Sequence, residues 1–190
     1  MKPNDKPTKV KSKTALLIID MLNTLDFPEG PMLAKQALPV AKNILKLKKK
    51  MAKRGAAVVY VNDNFGNWKS SWEEVYKTCA APKSRGREIA KILHPDPEDY
   101  FILKPRHSAF YSTNLEVFLK DLGIENLILT GVAGNICILF TVHDAHMRDF
   151  KITVPRDCIA SNTKTLNDQA LGLMKNELKV QTPISASISL

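Results

Sequence analysis

Apolar runs of strand length alternate along this chain with segments of helical periodicity. That alternation leaves few topologies open, because it is the pattern of a parallel sheet whose strands are joined by crossover helices. Strands are expected at residues 15–20, 56–62, 100–104, 126–132, 151–155 and 180–183, and helices near 37–54, 87–93, 114–122, 135–149 and 165–177. Gly55 and Gly123 follow two of these helices, where the chain turns left-handed and glycine does so at least cost. The longest irregular stretch, 63–86, carries Phe65, Trp68, Trp72 and Tyr76. It reads as a lid or wall over a pocket, or else as a partly helical excursion or one packed on a neighbouring subunit.

A chain of 190 residues, 44% hydrophobic and 25% charged, is sized for one globular domain. Residues 1–13 read as a flexible basic tail ahead of a single domain at 14–190. The tail lacks the apolar segment of a signal peptide, and no apolar run is long enough to span a bilayer, so a cytoplasmic location and no membrane partner are expected. The formal net charge of +9 raises nucleic acid as a partner. Much of it, however, is Lys42, Lys46, Lys48, Lys49, Lys50, Lys53 and Arg54, around an inner stripe of Val40, Ile44, Leu47 and Met51 on one expected helix. That is a solvated helix face without stacking aromatics, so no nucleic acid is expected, although the charge can steer anionic substrates. Cys79, Cys137 and Cys158 form no regular spacing and read as reduced thiols. His143 and His146 lie three apart on one helix without an acidic partner on another element, which favours a structural role over a metal.

In an open sheet of this kind ligands bind beyond the carboxyl ends of the strands. Asp20 ends the run Ala15-Leu16-Leu17-Ile18-Ile19, and Lys104 ends Tyr100-Phe101-Ile102-Leu103. Cys137 begins the helix after the fourth strand, where free N–H groups and the helix dipole favour a thiolate. A free cysteine is also commonly a small buried hydrophobe. Together, though, the three supply a nucleophile, a general base or acid, and a cation able to tune both. On this reading Cys137 is alkylated below the pH at which a model thiol reacts, and faster than Cys79 or Cys158. The turn Gly131-Val132-Ala133-Gly134 can bring backbone N–H groups to a carbonyl oxygen, as acyl transfer requires. His107 either borders the site or lies on the surface.

Ile18-Ile19-Asp20-Met21, Lys104 with Ser108-Ala109-Phe110, and Gly131-Val132-Ala133-Gly134-Asn135-Ile136-Cys137 with Asp144-Ala145, in this order, resemble the isochorismatase-like cysteine hydrolases. The resemblance covers nearly the whole chain after the tail. It implies a three-layer α/β/α, Rossmann-like fold, a six-stranded parallel sheet with helices on both faces. It also implies a catalytic triad of Asp20, Lys104 and Cys137, a non-proline cis peptide between Val132 and Ala133 at the oxyanion hole, and a homo-oligomer, dimer or tetramer, whose neighbours help to close the site. Asn64, Phe65, Trp68, Phe110 and Asn135 are candidate substrate contacts.

Members acting on vinyl ethers commonly lack the cysteine, so Cys137 favours cleavage of a C–N bond in a small amide, carbamoyl or ureido compound through a thioester. The alternatives are isochorismatase-type ether hydrolysis and a catalytically silent binding protein of the same fold. Nicotinamidases of the family carry a metal at an Asp-x-His segment, where this chain has Asp63-Asn64-Phe65. No metal or cofactor is therefore expected. Leu22 and Gly134 stand where the family often has glutamine and a hydroxyl residue, which shifts the substrate contacts and not the triad.

Overall fold

A computed structural model describes residues 10–189. The centre of the sheet is β1 (Thr14–Ile19), buried along its whole length. Both of its faces are covered, with Ala15, Leu17 and Ile19 turned to one layer and Leu16 and Ile18 to the other. Parallel neighbours flank it, β2 (Ala57–Asp63) with Ile19 opposite Val61 and β4 (Asn126–Val132) with Ile19 opposite Gly131. β3 (Tyr100–Lys104) lies outside β2 and sets Lys104 opposite Asp63.

Beyond β4 the edge is divided. β5 (Lys151–Thr153) pairs with the first residues of β4, and β6 (Ile159–Ala160) with the last two. The sheet therefore has six strands, but the sixth is not the expected 180–183, which contributes only a bridge from Gln181 to Thr153. Pro183 cannot extend a ladder, while β6 is too short to show a hydrophobic period.

α1 (Gly30–Lys53) begins well before residue 37 and contains Pro39. Proline is admissible in a first turn, as Pro31 is here, and the hydrogen bond lost at Pro39 is offset by a long buried stripe from Leu33 to Met51. This stripe and Ile89 of α3 (Arg87–Ile92) cover the face formed by Leu16, Ile18, Val58 and Tyr60. α4 (Leu115–Asp121), α5 (Leu139–His146) and α6 (Lys164–Asn176) cover the opposite face with Leu119, Val142, Ala145, Ala170 and Met174. Inside the irregular stretch lies α2 (Trp72–Cys79), capped by Ser71 and packed through Val75 and Cys79 on Leu22 and Ala90. The excursion is thus partly helical.

Residues 1–9 of the expected tail lie outside the described residues. Val10 packs against the core, and the N–H groups of Lys11 and Ser12 donate to the Gly55 carbonyl at 3.1 and 3.2 Å. No helix among the described residues is long and apolar enough to cross a membrane.

Gly131 of β4 lies opposite Ile19 of β1. Its φ is +122°, and a Cβ there would lie 2.0 Å from the Ile19 carbonyl oxygen, so no side chain is admitted.

Lys48 departs from the solvated face on which the sequence places it, since its side chain is only 3% exposed. Its ammonium lies 2.5 Å from Asp99, itself buried, and 2.9 Å from Asp96, and it donates to the Tyr60 hydroxyl at 3.2 Å. Burial alone would lower the Lys48 pKa, but the hydrogen bond to Asp99 and its other polar partners outweigh that and raise it. With the folded pKa raised above the ordinary value of 10.5, this contribution to stability is present while Asp99 is ionised and is lost as alkali strips the proton from Lys48. Lys48→Ala would strand the Asp99 carboxylate and should cost on the order of 3 kcal/mol in denaturant unfolding. Lys48→Met combined with Asp99→Leu should recover most of it. An unchanged midpoint in the single variant would remove this account.

Candidate active site

Three strand ends converge. Asp20 follows β1 with φ +52°, a left-handed conformation that aspartate tolerates better than most residues. Its N–H donates to the Val61 carbonyl at 2.9 Å, and its carboxylate accepts the Asp63 N–H at 2.8 Å. Lys104 closes β3 with no exposed surface. Its ammonium lies 2.8 Å from the other Asp20 oxygen, 3.6 Å from Asp63 and 3.7 Å from the Cys137 sulfur, and donates to the Arg106 carbonyl at 3.0 Å.

Cys137 is carried by a π-helical turn, Gly134–Ile138, set between β4 and α5, so the expected regular helix from 135 begins with a wider turn. The Ala133 carbonyl accepts two N–H groups, from Ile136 at 3.0 Å and Ile138 at 3.1 Å, and the Val132–Ala133 peptide is cis. Gly134 is packed so closely that a Cβ would lie 2.5 Å from the Asn167 amide oxygen. Two further segments are fastened together beneath the thiol. Ser108 donates to Asp144, the Ala109 N–H donates to the Thr141 hydroxyl at 3.0 Å, and that hydroxyl donates to the Cys137 carbonyl at 2.6 Å. The loop that follows Lys104 is thereby held to the helix that follows Cys137.

Burial decides the charge states. It raises the Asp20 pKa above the usual carboxylate value, against the opposing pull of the Lys104 ammonium. Burial and then the Asp20 carboxylate push the Cys137 thiol up, and Lys104 and the Ala133 backbone only partly offset them. Burial would lower Lys104, but Asp20 and Cys137 outweigh it and hold the amine protonated. The expectation of a resting thiolate is therefore corrected. The helix dipole is a small effect beside desolvation next to a carboxylate.

Iodoacetamide should accordingly label Cys137 slowly at neutral pH, at a rate that climbs well into the alkaline range. It should still label faster than Cys79 and Cys158, which are enclosed in the core with thiols pushed up to about 11 and about 12. A labelling plateau at or below neutral pH would restore the activated-thiolate reading.

The thiol opens on a cavity of about 400 Å³. Asp20, Val132, Ala133 and Cys137 form its floor, and Phe27, Glu29, Phe65 and His107 belong to its walls. A larger cavity of about 830 Å³ lies alongside, sharing Phe65, and another of about 570 Å³ lies at the opposite end of the strands near His146. Neither is lined by Cys137.

Of the expected substrate contacts, Phe65 lines the thiol cavity and the other four do not. Asn64 lines the adjacent cavity, its amide oxygen accepting the Gly66 N–H. Trp68 is 78% exposed. Phe110 belongs to the core, against Phe150 and the Arg148 guanidinium. Asn135 gives its N–H to Ser161, while its buried amide oxygen has no partner among the described residues.

Glu29, Phe27, Asn23 and Asn162 are wall residues that the sequence reading missed, since each lies on a loop or an element end without a motif. No three His, Cys, Asp or Glu residues among those described could hold a metal ion together. Asp63 is engaged by the Phe65 N–H and Lys104, and His94 packs edge-on against Tyr76.

A parallel sheet covered on both faces, with an acid, an amine and a thiol meeting at its strand ends, defines a three-layer α/β hydrolase. Known proteins resolve the class further, since residues 14–186 match the Isochorismatase domain. The chain is 42% identical over 168 residues to YaaI, an uncharacterized isochorismatase family protein of Bacillus subtilis (strain 168), covering 88% of this chain and 92% of that one. It superposes with a TM-score of 0.75 and 24% identity on an isochorismatase family protein from Desulfovibrio vulgaris, covering 92% and 95% of the two chains. It superposes at 0.70 and 25% identity on N-carbamoylsarcosine amidase from Thermoplasma acidophilum, covering 94% and 100%. This chain belongs to the isochorismatase family.

Proposed function

We propose that the protein is a cysteine hydrolase that cleaves the C–N bond of a small amide, carbamoyl or ureido compound through a thioester. The observation that carries this reading is the Lys104 ammonium, 2.8 Å from the Asp20 carboxylate and 3.7 Å from the Cys137 sulfur on the floor of a cavity. The amidase among its structural relatives supports it.

Because the resting thiol is protonated, attack and deprotonation are coupled. Asp20 takes the Cys137 proton as the sulfur bonds to the substrate carbonyl carbon, and Lys104 balances the charge that appears on the sulfur. The N–H groups of Ala133 and Cys137 are the donors this reading assigns to the developing oxyanion. Asp20 then returns the proton to the departing nitrogen, the C–N bond breaks, and ammonia or an amine leaves a thioester on Cys137. Water, giving a proton to Asp20, attacks the thioester carbon. The acid departs and the proton returns to sulfur.

A screen of small primary amides, carbamoyl and ureido compounds for ammonia release tests this reading. Turnover of one series is expected. Release from none, across the three classes, would overturn it.

A further inference from the structure

The chain carries a formal charge of +9, yet the cavity over Cys137 has the opposite sign. Among its described lining residues there is no lysine or arginine, while Asp20, Asp63 and Glu29 all contribute. Lys104 beneath them has no exposed surface and is engaged by Asp20, Asp63, the Arg106 carbonyl and Cys137, so it offsets only one of these charges. Arg85 approaches the start of α1, but it donates to the Leu25 carbonyl and lines a separate cavity with Asp26 and Lys83. Glu29 is exposed and has no ion-pair partner among the described residues. The remaining titratable wall group is His107, which packs against Phe140.

We propose that this cavity selects amides that are neutral or cationic beside the scissile carbonyl, of the amino-acid amide kind, and rejects those bearing a carboxylate there. The proposal rests on the C–N hydrolase reading for the word amide, and on the cavity's own charges for the selectivity. Long-range attraction of anions by the basic surface is screened within about 8 Å at physiological salt, so the local carboxylates decide what enters. One unit charge a few ångströms from Glu29 or Asp63 near a protein surface changes occupancy about tenfold. The sequence-based expectation that the net charge recruits anionic substrates therefore stops at the outer surface.

The test uses the thiol itself as the reporter. Cys137 is modified with a trimethylammonium-ethyl methanethiosulfonate and, separately, with the sulfonate-ethyl reagent of similar size. Each rate is divided by that for a simple thiol in solution, and Cys137→Ala supplies the background from Cys79 and Cys158. The cation should react about tenfold faster or more, and Glu29→Gln should cut that ratio severalfold. Equal rates, a faster anion, or a ratio unmoved by Glu29→Gln would each overturn the proposal, as would preferential hydrolysis of malonamate over glycinamide. Labelling needs no turnover. A retained cation preference with no ammonia from any amide would sink the C–N hydrolase reading and leave the charge selectivity standing.

Discussion

Cys137→Ala should release no ammonia from any amide that the parent protein cleaves, while unfolding at nearly the same denaturant concentration. The thiol is half-buried over a cavity, so the stability cost should be about 1 kcal/mol or less. The catalytic loss is of another order. Without sulfur there is no thioester, and the water that could replace it has no position fixed by the chain. Ammonia release should fall to the uncatalysed background, and circular dichroism should show the parent fold. Full ammonia release in this variant would remove the thioester mechanism.

Asp20→Asn should lose about three orders of magnitude in kcat, the usual worth of a positioned acid and base. The amide can still accept the Asp63 N–H but cannot take the thiol proton, and it leaves Lys104 with a weaker set of acceptors. Lys104→Met should be comparably damaging by a different route, visible in the pH profile. Burial raises the Asp20 pKa and Lys104 lowers it. Removing the ammonium therefore moves the acidic limb of kcat/KM to higher pH, because the carboxylate needed as base appears later. The double variant should be scarcely worse than either single one, since residues acting as a unit fail together. Additive losses, or an acidic limb that stays in place in Lys104→Met, would separate the amine from the acid.

The candidate site was legible in the sequence because Asp20, Lys104 and Cys137 each stand at the end of an apolar run or the start of a helix. A charged residue directly after five apolar ones, as at Asp20, is poorly explained by packing, and its place at a strand end follows from the run before it. The walls were not legible for the opposite reason. Glu29 and Phe27 lie just before α1, whose first turns look like loop because of Pro31 and Pro39. Asn162 follows β6, two residues long and without a readable period. Phe110 shares a segment with Ser108 but faces the core, and nothing in its spacing from Lys104 says which way it turns. The resting state of Cys137 depends on how much water reaches it, which is a property of the closed fold and not of its neighbours in the chain.

The contact between Gly131 and Ile19 sets how the protein can change over time. The main chains of β1 and β4 touch with no side chain between them, and Asp20 and the turn bearing Cys137 leave from the ends of these two strands. The spacing of Asp20 and Cys137 is therefore written into backbone contact, whereas Phe27, Glu29, Phe65 and His107 hang from loops. Walls can be exchanged one at a time, by drift or by a designer, without disturbing the reacting groups.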